Sequence, residues 1–374
     1  MSPAPALDRV RALAHRLRAQ QLDGRSRSLA EVAVLDLGVQ DTGPDGGARA
    51  LLLRGAAPDE VAGPDLALAW TLRTAPHLHR RADLAGVAAA LEPRTDAEAA
   101  ALLGSAAKPL QAAGIGALEG LEVVTDAVRA VVTAPTVKGE ASGRVSARLQ
   151  GPHLRDCPSC GTTHVHELSF RLGALRAGLE LERGTLPPVL RPSAQLAAGS
   201  TGTHDPGSDL VRDLVRAALH LLGPTTPQQV AAHLGTAAAG VRARWPEDAV
   251  RVEVEGRPLQ MLAADAERAA SGEPAPGGTW LLDPYDPYLQ ARELLVPDRA
   301  RAKQLWPVLA RPGALVIDGE VAGTWRARRA GARLAVAVAL WDGVPEAVRS
   351  AVQVQAERLA ESRGVPLARV DVSG

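Results

Sequence analysis

Apolar residues recur at three- and four-residue intervals through most of the first two thirds of the chain, the spacing of helices that each bury one face. Leu7, Val10, Leu13, Ala14 and Leu17 make one such stripe and predict an N-terminal helix. Ser28, with Glu31 three residues on, has the form of a capping box opening a second helix whose buried face carries Leu29, Val32 and Leu35. The Gly/Pro-rich run 43–47 is a loop, and 48–53 begins another helix. Residues 71–84 read as a strand or loop entering a helix near Asp83. Segments 95–103, 122–134 and 138–149 are helical in pattern, as is a stripe of Val165, Leu168, Leu172, Leu175 and Leu179 with Thr163 as its cap. Residues 184–207, rich in Pro, Gly, Ser and Thr, read as a linker or long surface loop.

The clearest local unit spans 208–262. Ser208 caps a helix bearing Leu210, Val211, Leu214, Val215, Ala218 and Leu222, and Gly223-Pro224 stops it. Thr226, Pro227 and Gln229 open a second helix with a capping box and a proline in its first turn, and Gly235 ends it. A third helix runs through Val241 to Trp245. After it, apolar and polar residues alternate on both sides of Glu255-Gly256-Arg257, a hairpin signature. Three helices followed by a hairpin is the winged-helix order. Its third helix can enter a major groove, where Arg242 and Arg244 would lie, with Arg257 at the wing tip. The same unit can equally serve as a packing or protein-binding module. Beyond Pro274–Gly278 the pattern changes to short apolar runs separated by turns, which predicts a small β-rich, barrel-like domain closed by a helix over 345–363.

Composition narrows the function classes. The chain is 46% hydrophobic but only 2% aromatic, so Ala, Leu and Val must fill its interior. Lys+Arg and Asp+Glu both number 42, so no global basic field marks a nucleic-acid binder, and any DNA face must be local. Lysine occurs only at Lys108, Lys138 and Lys303, a skew toward Arg that coding bias explains as readily as phosphate recognition. There is no signal-peptide core and no uncharged run suited to a membrane helix, so a cytoplasmic, nucleoid-associated protein is expected.

Two constellations carry candidate chemistry. Arg73, His77, His79, Arg80 and Arg81 form the densest basic cluster, able to hold phosphates or to be a solvated face. Cys157 and Cys160, two residues apart and followed by His164, have the spacing of a zinc knuckle, with His153 as a further donor. A cysteine-lined turn capping the next helix is the alternative.

Several segments, taken in order, resemble the AlkZ/YcaQ family of bacterial winged-helix DNA glycosylases: GVQDT at 38–42, WTLRTAPHL at 70–78, APTVKGEAS at 134–142, GPTTPQQVAAHLG at 223–235, LLDPYDPYL at 281–289 and VIDGEVAGTWR at 316–326. The resemblance implies an α+β chain of tandem winged-helix domains followed by a β-barrel. The expected division is 1–93 (winged-helix-like, holding the candidate active-site motif), 94–205 (winged-helix-like, with the cysteine knuckle and linker), 206–272 (third winged helix) and 273–374 (barrel-like). It further implies a monomer acting on damaged double-stranded DNA to remove N7-alkylated or crosslinked purines, with no cofactor required and any zinc structural. The family's Gln-x-Gln or Gln-x-Asp motif falls on Gln40, Asp41 and Thr42, with Thr42 departing from the pattern. Gln40 would orient water and Asp41 would be the carboxylate, whereas the residues alone also suit the end of a helix entering a turn. His77 matches the family's spacing from Arg73. A non-catalytic DNA-binding protein on the same scaffold is the competing expectation.

Overall fold

Very short strands, two to five residues each, organise the N-terminal half. The computed structural model describes residues 6–158, 160–199, 210–343 and 345–374. In order across the sheet lie Val39–Gln40, Pro76–Arg80, Leu66–Trp70, Leu179–Leu181, Val189–Pro192 and Thr136–Val137, every neighbouring pair antiparallel. Leu66–Trp70 is buried along its whole length, as expected of a central strand covered on both faces. Trp70 meets Phe170 of the helix Glu167–Arg176 edge-on, with ring centroids 6.0 Å apart. This sheet passes through both of the expected N-terminal units, 1–93 and 94–205.

Several expectations for single segments are revised. The Ser28–Glu31 box forms, with the Glu31 carboxylate accepting from the Ser28 amide and hydroxyl, but it opens two short 3-10 turns instead of an α-helix. Residues 184–207 are more than a loop, because they supply the strand Val189–Pro192 and the helix Ala194–Gly199. Thr163 caps nothing: it lies in an antiparallel hairpin of Leu154–Cys157 and Thr162–Val165, and the helix that follows starts at Glu167 behind His166.

Residues 210–262 fold as their pattern predicts. Helices Leu210–Leu222, Pro227–Leu234 and Ala238–Ala243 precede the hairpin Ala249–Val254/Arg257–Leu262. Both halves of the Thr226–Gln229 capping box are made. Gly235 adopts the left-handed conformation at the helix end, as do Glu255 and Gly256 at the hairpin turn. Ser208, the expected cap, is outside the described residues. The N-terminal segment joins this unit. Ala6–Leu7 adds a parallel third strand to the hairpin, and His15 and Arg16 of the helix Arg9–Ala19, with Gln20 just past its end, reach the carbonyls of His220, Leu222 and Leu221 at 2.9, 2.7 and 3.0 Å. These side chains satisfy last-turn carbonyls that have no partner within their own helix.

No closed barrel forms among the described residues of the C-terminal region. Its five strands, Thr279–Leu282, Gly313–Ile317, Glu320–Ala330, Arg333–Leu340 and Leu367–Ser373, lie in sequential order in an open sheet. The last strand runs parallel to its neighbour, so the chain must cross over between them, and it does so through the helix Glu346–Ser362. Val352, Ala356, Leu359 and Ala360 of that helix fill the sheet face with Leu281, Leu315, Trp325, Val336 and Val338. A helix covering this face does the work that closure would do in a barrel. Trp325 is core, donating its Nε1–H to the Leu282 carbonyl at 2.8 Å.

Candidate active site

Gln40 sits on the edge strand of the large sheet, its backbone in register with His77. Its amide is held at both ends: Nε2 donates to the Thr42 hydroxyl at 3.0 Å, and Oε1 accepts from Arg73 Nη2 at 3.1 Å. Each end keeps one further hydrogen-bonding position. Beside it lies a cavity of about 10 Å³, the size of a single water molecule, bordered by Gln40, Arg73, His77, His233, Tyr285 and Gln290.

Arg73 owes its position to local backbone and to a helix end. It and Thr74 adopt left-handed conformations, with φ of 53° and 55°. Its guanidinium donates to the His233 carbonyl in the last turn of Pro227–Leu234, where positive charge complements the helix dipole. Gly235 is needed there, because a Cβ would stand 2.9 Å from the Arg73 amide nitrogen. Burial, with the nearby positive charges of Arg292 and Arg311, pushes Arg73 down to about 10. Three arginines thus gather at this edge. Arg311 stacks over Tyr285 at 4.7 Å, and Tyr285 lines the cavity. Their mutual repulsion is what a bound phosphate would relieve.

The histidines here are neutral. His77 is buried, its Nδ1–H donating to the Ala75 carbonyl at 2.9 Å, and burial together with the Arg73 charge holds it well below the ordinary imidazole value. His79 lies behind it, hydrogen-bonded to the Thr71 hydroxyl at 2.9 Å and pushed down to about 4 by burial. His233 is pushed down to about 3, by burial and then by Arg73. Gly38, with φ of +84°, leaves the room His79 occupies.

Asp41 follows Gln40 just past the strand end and turns to the start of the next helix instead of to the cavity. Its Oδ1 accepts from the Gly47 amide at 2.9 Å at the start of the helix Gly46–Leu52. Burial raises its pKa above the ordinary carboxylate range. The structure therefore brings Gln40, Thr42, Arg73 and His77 to one side and sets Asp41 on the other.

Arg80 and Arg81 serve the protein's own interior. Arg80 pairs with Asp36 and donates to the Leu29 and Val32 carbonyls, while Arg81 reaches Glu180 at 2.9 Å across the sheet. Arg242 is exposed on its short helix and Arg244 is half-buried at that helix's end. Gly240 of the same helix lies against Glu98 of the helix Asp96–Leu103, so one face of the third helix is already covered. Arg257 at the wing pairs with Glu293. Arg292, Arg311, Tyr285 and His233 were missed as site residues by sequence reasoning. The LLDPYDPYL segment, which contains Tyr285, was the one sequence pointer to it. Cys157, Cys160 and His164 lie away from this site, on the far hairpin.

No helix among the described residues is long and apolar enough to cross a membrane. No curated protein sequence matches the chain. Among solved structures, the DNA glycosylase AlkZ of Streptomyces sahachiroi superposes with a TM-score of 0.72 at 22% identity, covering 98% of this chain and 100% of that one. At that identity the likeness speaks for the fold. The family described as DNA glycosylase AlkZ-like matches residues 34–362, a span that takes in the Gln40 strand, the Arg73 turn, residues 210–262 and most of the C-terminal sheet. This chain belongs to the AlkZ-like DNA glycosylase family.

Proposed function

We propose that the protein is a DNA repair enzyme that hydrolyses the N-glycosidic bond of N7-alkylated purines, bulky or crosslinked ones included, with Gln40 orienting the attacking water. The observation that carries this is the Gln40 amide, clamped by Arg73 and Thr42 at the wall of a water-sized cavity in a chain of this family. Alkylation at N7 makes the departing base a cation that leaves neutral, so no strong general acid is needed. What remains for the protein is to place a water and to stabilise the sugar as it becomes cationic. Fixed amide dipoles do the first without reorganisation. Asp41, held by the Gly47 amide on the other side of the strand, does not border this cavity, so the carboxylate role expected of it is not assigned here. Neutral His77 and His233 add no positive charge against a developing cation.

Damaged duplex DNA is the proposed partner, bound by a single chain through tandem winged-helix units. Arg292 and Arg311 meet its phosphates beside the cavity, and Arg242 and Arg257 lie farther along. The test is base release from N7-methylguanine duplex under single-turnover conditions, followed as abasic sites. Gln40→Ala should slow release on the order of 100-fold while leaving duplex affinity intact. An unchanged rate in Gln40→Ala would sink the assignment of Gln40. A non-catalytic damage-recognition or regulatory protein is the second reading, favoured by Thr42 in place of a second Gln or Asp. Tight, salt-dependent duplex binding by the wild-type protein without base release from any N7-alkylated substrate would decide for it.

A further inference from the structure

The hairpin Leu154–Cys157/Thr162–Val165 carries donors that glycosidic-bond chemistry does not use. Its register pairs Arg155 with His164 and Cys157 with Thr162, which puts Cys157 and His164 on the same face. The connecting turn brings Cys160 back to that face. The Cys160 and Gly161 amides both donate to the Cys157 carbonyl, and Gly161 has φ of +63°. As a result Cys160 Sγ stands 2.9 Å from Cys157 Sγ and 2.9 Å from His164 Nε2. All three donor atoms lie within 4.8 Å of one another.

A helix cap does not explain the cluster, since the next helix begins at Glu167. Nor does a disulfide, which needs the sulfurs at about 2.05 Å and gives the imidazole no part. Two soft sulfurs and an imidazole converging on one point are the donor set of a tetrahedral zinc ion. At metal–donor distances of about 2.3 and 2.0 Å the donors would sit roughly 3.5–3.8 Å apart, so each observed gap opens by less than ~1 Å on binding.

We propose that Cys157, Cys160 and His164 bind one Zn2+ ion, which staples this hairpin as the wall of the open groove it forms with the helix Lys138–Ser146. Both thiols ionise on binding and release two protons, so the two thiolates balance the charge of the ion. His153, the expected fourth donor, is not in the cluster. A fourth ligand would come from solvent, since Cys160 is exposed.

The test uses the full-length protein purified without added metal, analysed by elemental mass spectrometry and by thiol counting with and without chelator. One zinc per chain is expected, with both thiols reactive only after chelation. Cys157→Ser and His164→Ala should lose the metal while keeping the wild-type circular dichroism, because the hairpin is peripheral. Cobalt substitution should give a thiolate-to-metal charge-transfer band that Cys157→Ser abolishes. Chelation should speed hydrogen exchange over 154–165 and leave the Leu66–Trp70 amides unchanged. Metal-free protein with two reactive thiols, a disulfide between them, or zinc retained in the Cys157→Ser/Cys160→Ser variant would each overturn the proposal.

Discussion

Replacing Arg54 by Met tests how the N-terminal elements are tied to the LLDPYDPYL segment. Arg54 has no exposed surface, and neither in effect does its partner Asp286. The guanidinium donates to both Asp286 oxygens at 2.8 and 3.0 Å, to the Ala50 carbonyl at 2.8 Å and to Gln20 Oε1 at 3.0 Å. Met fills similar length but supplies none of these donors. Asp286 would then be a buried carboxylate left with the Tyr288 amide, which donates to its Oδ1 at 2.8 Å. Stranding one member of a buried ion pair costs about 3–5 kcal/mol. At roughly 2–4 °C per kcal/mol for a large domain, Arg54→Met should lower Tm by about 6–20 °C. The assay is thermal or urea unfolding followed by tryptophan fluorescence. Adding Asp286→Asn removes the stranded charge and keeps an acceptor for Tyr288, so the double variant should recover at least half of the loss. A single variant within about 1 kcal/mol of wild type, or a double variant whose losses simply add, would refute the reasoning.

Three further outcomes follow from the site. The buried histidines His15 and His79 are each pushed down to about 4 by burial. Unfolded histidine takes up its proton near 6.5, so between these values the unfolded state binds more protons and stability falls as pH falls. Urea unfolding at pH 5 should therefore show a loss on the order of 2 kcal/mol per histidine relative to pH 7, and a flat profile over that range would contradict their burial. Gly38→Ala places a Cβ 2.2 Å from the His79 ring at φ of +84° and should cost about 2–5 kcal/mol from strain and overpacking combined, read as a drop in the urea midpoint. Arg311→Ala should weaken binding to damaged and undamaged duplex alike and reduce the slope of log K against log salt by about 1, whereas an effect confined to damaged DNA would argue against a phosphate contact.

The candidate site was legible only in part. Gln40 and Thr42 can be singled out from the chain because the ordered segments resemble a family with a motif there. That His77 stands opposite Gln40 follows from strand register. The basic run 73–81 looks like one surface in the sequence, yet it divides on folding: Arg73 clamps Gln40 and a helix end, His79 fills the space beside Gly38, Arg80 pairs with Asp36, and Arg81 reaches Glu180 on another strand of the sheet. A charge pattern does not reveal whether a guanidinium meets solvent or a buried carbonyl.

What the sequence by itself determined are features set within about four residues: the Thr226–Gln229 capping box, the Gly235 helix end, the Glu255–Gly256 turn, and the helices between them. Caps and turns depend on side chains and φ angles close along the chain, so short windows specify them. Only the tertiary structure decided the rest. The central sheet pairs strands of two to five residues separated by up to about a hundred positions, as where Leu68 meets Leu181. The C-terminal sheet stays open because a crossover helix covers the face a barrel would have closed. Arg292 and Arg311 come within reach of Arg73 only when regions more than two hundred residues apart pack together. Such contacts are fixed by complementary burial over long sequence separations, which no local pattern encodes.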